Sequence, residues 1–144
     1  MKIKICRISP EEAINVRHPV LRSGQGRESA MLQNDHNRQT VHFGVFHENI
    51  LIACSTIFPD GEKVDDNNWR LRGMATLPEF QNNGIGTKLL QKCESFIKSQ
   101  KGVLIWCNAR FTAAGFYQNN GFKISGKQFD IPQIGPHFKM EKKL

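Results

Sequence analysis

Along this chain the spacing of apolar residues switches between every second position and every third or fourth. Those switches mark out the elements. Ile3, Ile5 and Ile8 alternate imperfectly with polar residues, which predicts a first strand near 2–8. Ser9-Pro10-Glu11-Glu12 reads S-x-x-E with proline at the first helical position, a capping box. The helix it opens should reach about Arg22, before Ser23-Gly24. Residues 24–39 are polar and irregular, long for a connection, a length that goes with function or mobility. Two strands, 41–46 and 50–58, flank a tight His47-Glu48-Asn49 turn and predict a hairpin. A polar turn over 60–68 leads to a fourth strand, 69–76. From Ile85 the apolar positions become Leu89, Leu90, Cys93, Phe96 and Ile97, one face of a long amphipathic helix. A short apolar run, 103–107, fits a buried fifth strand. A short helical stretch within 108–122 ends at Gly121, and two more strands follow near 122–129 and 136–142. The result is an α/β fold, one domain over 1–144, with a mixed sheet of six or seven strands and three or four helices.

The turn between the fourth strand and the long helix reads Gln81-Asn82-Asn83-Gly84-Ile85-Gly86. A polar turn from strand to helix aims unpaired backbone N–H groups outward, and the helix dipole adds positive potential there. Glycine at 84 and 86 permits positive φ and a close approach of an anion to the backbone. The arrangement suits a diphosphate. It equally suits a plain connection built on an Asn-Gly turn. Neither G-x-G-x-x-G nor G-x-x-x-x-G-K-[ST] is present, so the dinucleotide and nucleoside-triphosphate fingerprints are missing.

In this region the chain resembles the GNAT superfamily of N-acetyltransferases. The family's coenzyme A loop, Q/R-x-x-G-x-G/A, is matched by Gln81 to Gly86. Its lead-in, an apolar strand followed by Pro-Glu-aromatic, is matched by Met74-Ala75-Thr76-Leu77-Pro78-Glu79-Phe80. A later motif, A-x-x-x-Y-x-x-x-G-F, is matched by Ala113, Tyr117, Gly121 and Phe122. The resemblance covers roughly 69–122. It implies a mostly antiparallel sheet whose fourth and fifth strands splay apart, with acetyl-CoA as co-substrate and a primary amine attacking it directly in a ternary complex. Met74, Ala75 and Thr76 would then pair with the pantetheine arm, one N–H facing the thioester oxygen. Gln81, Asn82, Asn83, Gly84, Ile85, Gly86 and Thr87 would hold the diphosphate. Asn108 and Arg110 would sit at the mouth of the cleft, Asn108 either touching the pantetheine or capping the short helix.

The resemblance also assigns roles. Tyr117, the sole tyrosine, takes the position of a general acid to the leaving thiolate; its alternative is a packed aromatic beside Phe111 and Phe116. The amine must lose a proton to attack, which calls for a base or a desolvated site. Many family members carry a glutamate on the fourth strand, but Trp69-Arg70-Leu71-Arg72-Gly73 offers no carboxylate. His137 and His42 are the alternative bases, since imidazole titrates near neutral pH, and a water wire is a third. Glu79 is expected to face solvent. Arg72 would hold a carboxylate on the acceptor, joined by His18, Arg17 and Arg22 near the end of the first helix. Each of these can equally be an exposed charge.

Charge narrows the partners. The chain carries a formal net charge of +7 over 144 residues. Arginines gather at Arg17, Arg22, Arg27 and Arg38, and lysines at Lys139, Lys142 and Lys143. No basic stripe with interleaved aromatics appears, so a nucleic-acid module is not the reading. The excess is either a solvated surface or an attraction for anions, coenzyme A and an acidic acceptor among them. Cys6, Cys54, Cys93 and Cys107 are dispersed, with no C-x-x-C pair and no histidine at ligand spacing, so reduced structural thiols and no metal are expected. No apolar run approaches the ~18 residues of a membrane span, and residues 1–10 lack a secretory core; cytoplasmic residence is the expectation. The acceptor is expected to be a small-molecule amine, handled by a monomer or homodimer. The alternatives are a peptide acceptor and a non-catalytic coenzyme A-binding sensor.

Overall fold

The computed structural model describes residues 1–63 and 65–144. After a short first strand, β1 (Lys4–Arg7), the capping box closes as its residues demand. Ser9 Oγ accepts from the Glu12 N–H at 3.0 Å, and the Ser9 N–H donates to Glu12 Oε1 at 2.9 Å. Helix α1 (Pro10–Leu21) follows, with Arg22 as its C-cap. The irregular segment after it holds one 3₁₀ turn, Arg27–Ala30. β2 (Val41–His47) and β3 (Ile50–Pro59) form the hairpin, and φ is +50° at Glu48 and +65° at Asn49. Two left-handed residues make a type I′ turn, whose twist matches that of the strands. The polar turn expected over 60–68 contains Val64, which lies outside the described residues. Then come β4 (Asn68–Thr76), α2 (Ile85–Ser99), β5 (Leu104–Arg110), α3 (Ala114–Asn119), β6 (Lys123–Ile124), β7 (Phe129–Ile131) and β8 (Gly135–Lys143).

Among the described residues the sheet has eight strands, in the order β1-β2-β3-β4-β5-β8-β6, with β7 also on β8. Six or seven strands were expected. The difference lies at 122–129, where Gly126 turns the chain at φ +103° and splits one expected strand into β6 and β7. Every pairing is antiparallel except β4 with β5. β5 also runs three residues beyond the apolar stretch, because β8 pairs with it from Leu104 to Arg110. Asn108 is therefore a strand residue opposite Lys139, and it does not cap α3. Ala113 is the N-cap, without a side-chain bond.

The two long helices cover opposite faces. Leu89, Leu90, Cys93 and Ile97 of α2 are fully buried against Val45, Ile57, Leu71 and Ile105. Each such aliphatic side chain contributes about 1.5–3 kcal/mol on leaving water. On the other face Ala13 and Val16 of α1 meet Cys54 and Ala75. Among the described residues, no helix is long and apolar enough to cross a membrane.

Two irregularities of β4 open the centre of the sheet. It pairs with β5 only through Asn68–Leu104, Trp69–Ile105 and Arg70–Trp106; beyond these the strands part. Against β3 it carries one extra residue, since Thr56 faces Arg72 while Cys54 faces Ala75. That bulge falls at Gly73, whose φ is +59°. A Cβ there would lie 2.4 Å from Arg17 Nε. Glycine is thus required twice, by its backbone angle and by the guanidinium packed against it.

Candidate active site

The free edge of β4 leads, through a 3₁₀ turn at Pro78–Phe80, into the loop at 81–86. Gln81 Nε2 donates to the Thr76 carbonyl at 2.9 Å, tying the loop to the strand end. Asn82 and Gly84 take left-handed angles, φ +64° and +75°. The space where a Gly84 Cβ would stand is open, so glycine serves its angle there rather than a tight fit. The first backbone bond into α2 runs from the Lys88 N–H to Gly84 O at 3.2 Å. The N–H groups of Ile85, Gly86 and Thr87 precede that bond and have no acceptor in the helix ladder. They open onto a groove of about 490 Å³ lined by Met74, Ala75 and Thr76, by the loop, and by Phe116 and Tyr117.

Through the fork between β4 and β5 a second, smaller cavity of about 160 Å³ lies below the end of α1. The two spaces share Met74, Ala113 and Tyr117. Tyr117 is buried between Phe116 and Phe122, edge-on to both at 5.1 and 5.2 Å between centroids. Its hydroxyl donates to the Met74 thioether at 3.7 Å, a soft and weak acceptor. Burial pushes the phenol well above its usual range, so it stays protonated at neutral pH. Burial likewise pushes the Cys107 thiol, on the lining of the smaller cavity, up to about 12.

The smaller cavity is lined by Arg17, Arg22, Arg70, Arg72 and Arg110, with His137 and Asn108, and among the described residues by no aspartate or glutamate. Of the five arginines, Arg17 is the buried anchor. It forms a two-pronged pair with Asp35, at 2.6 and 2.9 Å, and donates to Ala30 O at 3.0 Å. It also donates to Thr56 Oγ1, whose own hydrogen then points to His42 Nδ1 at 2.7 Å. His42 Nε2 lies 2.9 Å from Asp35 O, so that nitrogen carries the proton. The ring closes on itself and needs a neutral histidine, in keeping with the lowered pKa that burial imposes on His42.

The sequence profile of the acetyltransferase (GNAT) domain matches residues 38–124. The uncharacterized N-acetyltransferase YitI of Bacillus subtilis (strain 168) is 34% identical over 144 residues, covering 99% of this chain and 97% of that protein. The chain belongs to the GNAT acetyltransferases. Solved structures agree on the GNAT fold. A candidate N-acetyltransferase from Lactobacillus plantarum superposes with a TM-score of 0.85 at 19% identity, over 100% of this chain and 99% of its own. An aminoglycoside 6′-N-acetyltransferase complexed with coenzyme A gives 0.79 at 16% identity, over 97% and 96%.

Within this GNAT domain the residues singled out from sequence separate. Met74, Ala75, Thr76, Gln81, Asn82, Gly84, Ile85, Gly86 and Thr87 line the groove, and Arg22, Arg72, Asn108 and His137 line the arginine-rich cavity. Others do not join them. Asn83 folds back, its Nδ2 donating to Phe80 O and Gln81 O at 3.2 and 3.1 Å, and is absent from the groove wall. His18 turns its Nε2 to the Gln25 carbonyl at 2.8 Å and lines neither space. His42 spends both nitrogens on Thr56 and Asp35, which removes it as a base. Arg17 holds the long segment in place through Asp35, so an acceptor would find it already paired. Asn108 belongs to the arginine-lined cavity rather than to the groove. Sequence reasoning put Arg110 at the mouth of the cleft, and it lines the arginine-rich cavity, but it gave no role to Arg70 or Gly73. A glycine inside a strand is a bulge signal that could have found the last.

Proposed function

We propose that the protein transfers an acetyl group from acetyl-CoA to a primary amine while both are bound, with Tyr117 between them. One observation carries this reading: the groove over the glycine loop and the arginine-lined cavity meet at Tyr117, Met74 and Ala113. The groove suits the co-substrate. It combines the unpaired N–H groups of the first turn of α2, fit for a diphosphate, with the unpaired edge of β4 at Met74–Thr76, fit for an amide-bearing arm. Bound acetyl-CoA would supply an acetyl thioester; transfer forms one C–N bond, breaks one C–S bond and releases one proton from nitrogen.

Tyr117 then serves the departing sulfur. A thiolate is penalised in these surroundings, where burial pushes the Cys107 thiol up to about 12, so sulfur leaving there needs a donor. The protonated Tyr117 hydroxyl is the one at hand to give it a hydrogen bond and, as the C–S bond breaks, a proton. His137 Nδ1 faces Gly135 O at 2.8 Å and so carries a hydrogen, which leaves Nε2 with a lone pair for the proton of the amine. Direct transfer is favoured over an acyl-cysteine because burial holds Cys54, Cys93 and Cys107 up to about 12, far from a reactive thiolate. The aminoglycoside named for one structural relative is a polycationic class of acceptor, and a cavity lined by five arginines repels it.

Calorimetric titration with acetyl-CoA, and with CoA as the control, tests the reading. Micromolar binding, about −8 kcal/mol, is expected for both. Initial rates with both substrates varied should give intersecting rather than parallel reciprocal lines. No binding of either ligand would end the proposal.

A further inference from the structure

We propose that the acceptor is a small amine that also bears a carboxylate or a phosphate, and that Arg22, Arg72 and Arg110 hold that anion. The inference rests on the acetyl-transfer reading and adds the acceptor's charge to it. Five guanidinium groups share a cavity of about 160 Å³ without an acidic residue on its wall among the described residues. Two have counter-charges: Asp35 pairs with Arg17 at 2.6 Å, and Asp60 lies 3.9 Å from Arg70. Arg70 also stacks over Trp106 at 4.7 Å. Among the described residues, Arg22, Arg72 and Arg110 have no carboxylate within the 4.0 Å of an ion pair.

These three groups are drawn together without being neutralised. Arg22 Nη1 and Arg110 Nη2 donate to the same carbonyl, Leu21 O, at 3.1 and 2.8 Å. That carbonyl is the last of α1, so both charges sit at the negative end of the helix dipole. The Arg72 side chain makes no hydrogen bond among the described residues, although its backbone lies in the β3–β4 ladder. All three are half-buried, and all have lowered pKa values, from burial first and from neighbouring arginines second. Half-buried like charges repel unless an anion joins them. A further sign of missing acceptors is that Arg17 Nε and Arg70 Nε are buried and unpartnered, on residues of the same cavity. Arg17 is 1% exposed, so bulk water does not serve it.

A carboxylate and a phosphate both match the guanidinium fork. The cavity's size restricts the acceptor to a small molecule, anchored below α1 with its amine toward Tyr117. The same positive field disfavours an ammonium and tilts the arriving amine to its neutral, attacking form. That matters in a cavity with no glutamate base.

The test uses the intact chain and two independent readouts. In the first, inorganic phosphate and succinate are titrated without acetyl-CoA, by calorimetry and thermal melting. One of them should bind and raise the melting temperature, and Arg72→Ala should weaken that binding at least about tenfold, the scale of a lost charged hydrogen bond. In the second, phosphoethanolamine, β-alanine, butylamine and putrescine are compared as acceptors. An anion-bearing amine should exceed butylamine in kcat/KM by about 100-fold, from two such contacts. Arg110→Ala should erase most of that margin through KM, leaving the KM for acetyl-CoA unchanged. Preference for phosphate or for carboxylate identifies the anion. If butylamine or putrescine is acetylated as well as the anionic amines, the charge proposal fails while acetyl transfer stands. If acetyl-CoA does not bind, the transfer reading fails, and the anion titrations on the wild-type chain decide the arginine site alone. Neither anion binding would overturn it.

Discussion

Replacing Tyr117 with phenylalanine removes one oxygen and leaves the ring. The ring's contacts with Phe116 and Phe122, at 5.1 and 5.2 Å, involve its carbons and survive. What is lost is a hydroxyl that donates to the Met74 sulfur at 3.7 Å and lies beside the Cys107 thiol. A bond to so weak an acceptor contributes about 1 kcal/mol or less to stability. The loss to catalysis should be much larger. A positioned proton donor accelerates a step by about 10²–10⁴, which at 1.36 kcal/mol per decade is about 3–5 kcal/mol of transition-state stabilisation. Tyr117→Phe should therefore melt within a few degrees of the wild type, bind acetyl-CoA within about threefold, and lose at least about 100-fold in kcat. The measurements are a thermal melt, a calorimetric titration, and continuous detection of released CoA thiol. A kcat within threefold of the wild type would refute the role, and so would a loss appearing only as weaker acetyl-CoA binding.

Three further outcomes follow from the packing behind the site. Gly73→Ala forces a left-handed alanine, about 1–2 kcal/mol, and puts a carbon 2.4 Å from Arg17 Nε. Urea unfolding should show a loss of more than about 2 kcal/mol, and an unchanged midpoint would mean that the bulge relaxes freely. Asp35→Asn leaves the buried Arg17 charge without its counter-ion, at a cost of about 3–5 kcal/mol; a loss below 1 kcal/mol would show that the pair is not desolvated. For His42, burial lowers the folded pKa below the ordinary 6.5. Its contribution to stability is complete above pH 6.5 and declines as pH falls toward the folded value, because the unfolded chain takes the proton first. His42→Asn should flatten that limb of stability against pH, and an unchanged slope would exclude His42 as its source.

The elements legible along the chain were those specified over short stretches. Ser9 and Glu12 are three residues apart and cap α1 by themselves. The period from Ile85 to Ile97 defines which face of α2 is buried, whatever it meets. Gln81 to Gly86 announce a strand-to-helix turn because glycine and asparagine tolerate the angles it needs. The strands at 122–129 were less legible, since short edge strands are defined by their partner β8 rather than by their own alternation. Asn108 was misplaced for the same reason, as pairing with β8 carried β5 past the apolar run.

What no local pattern could supply was which distant residues meet. Arg17, Arg22, Arg70, Arg72 and Arg110 come from α1 and its C-cap, β4 and β5, and nothing in their spacing along 94 positions shows that they line one cavity. Nor does it show that Asp35 neutralises Arg17 while, among the described residues, three of the others have no carboxylate partner. An arginine reads the same on a solvated surface as it does in a pocket, because its identity depends only on its own atoms. Its chemistry depends on the dielectric and the charges around it, and those are set when the chain closes.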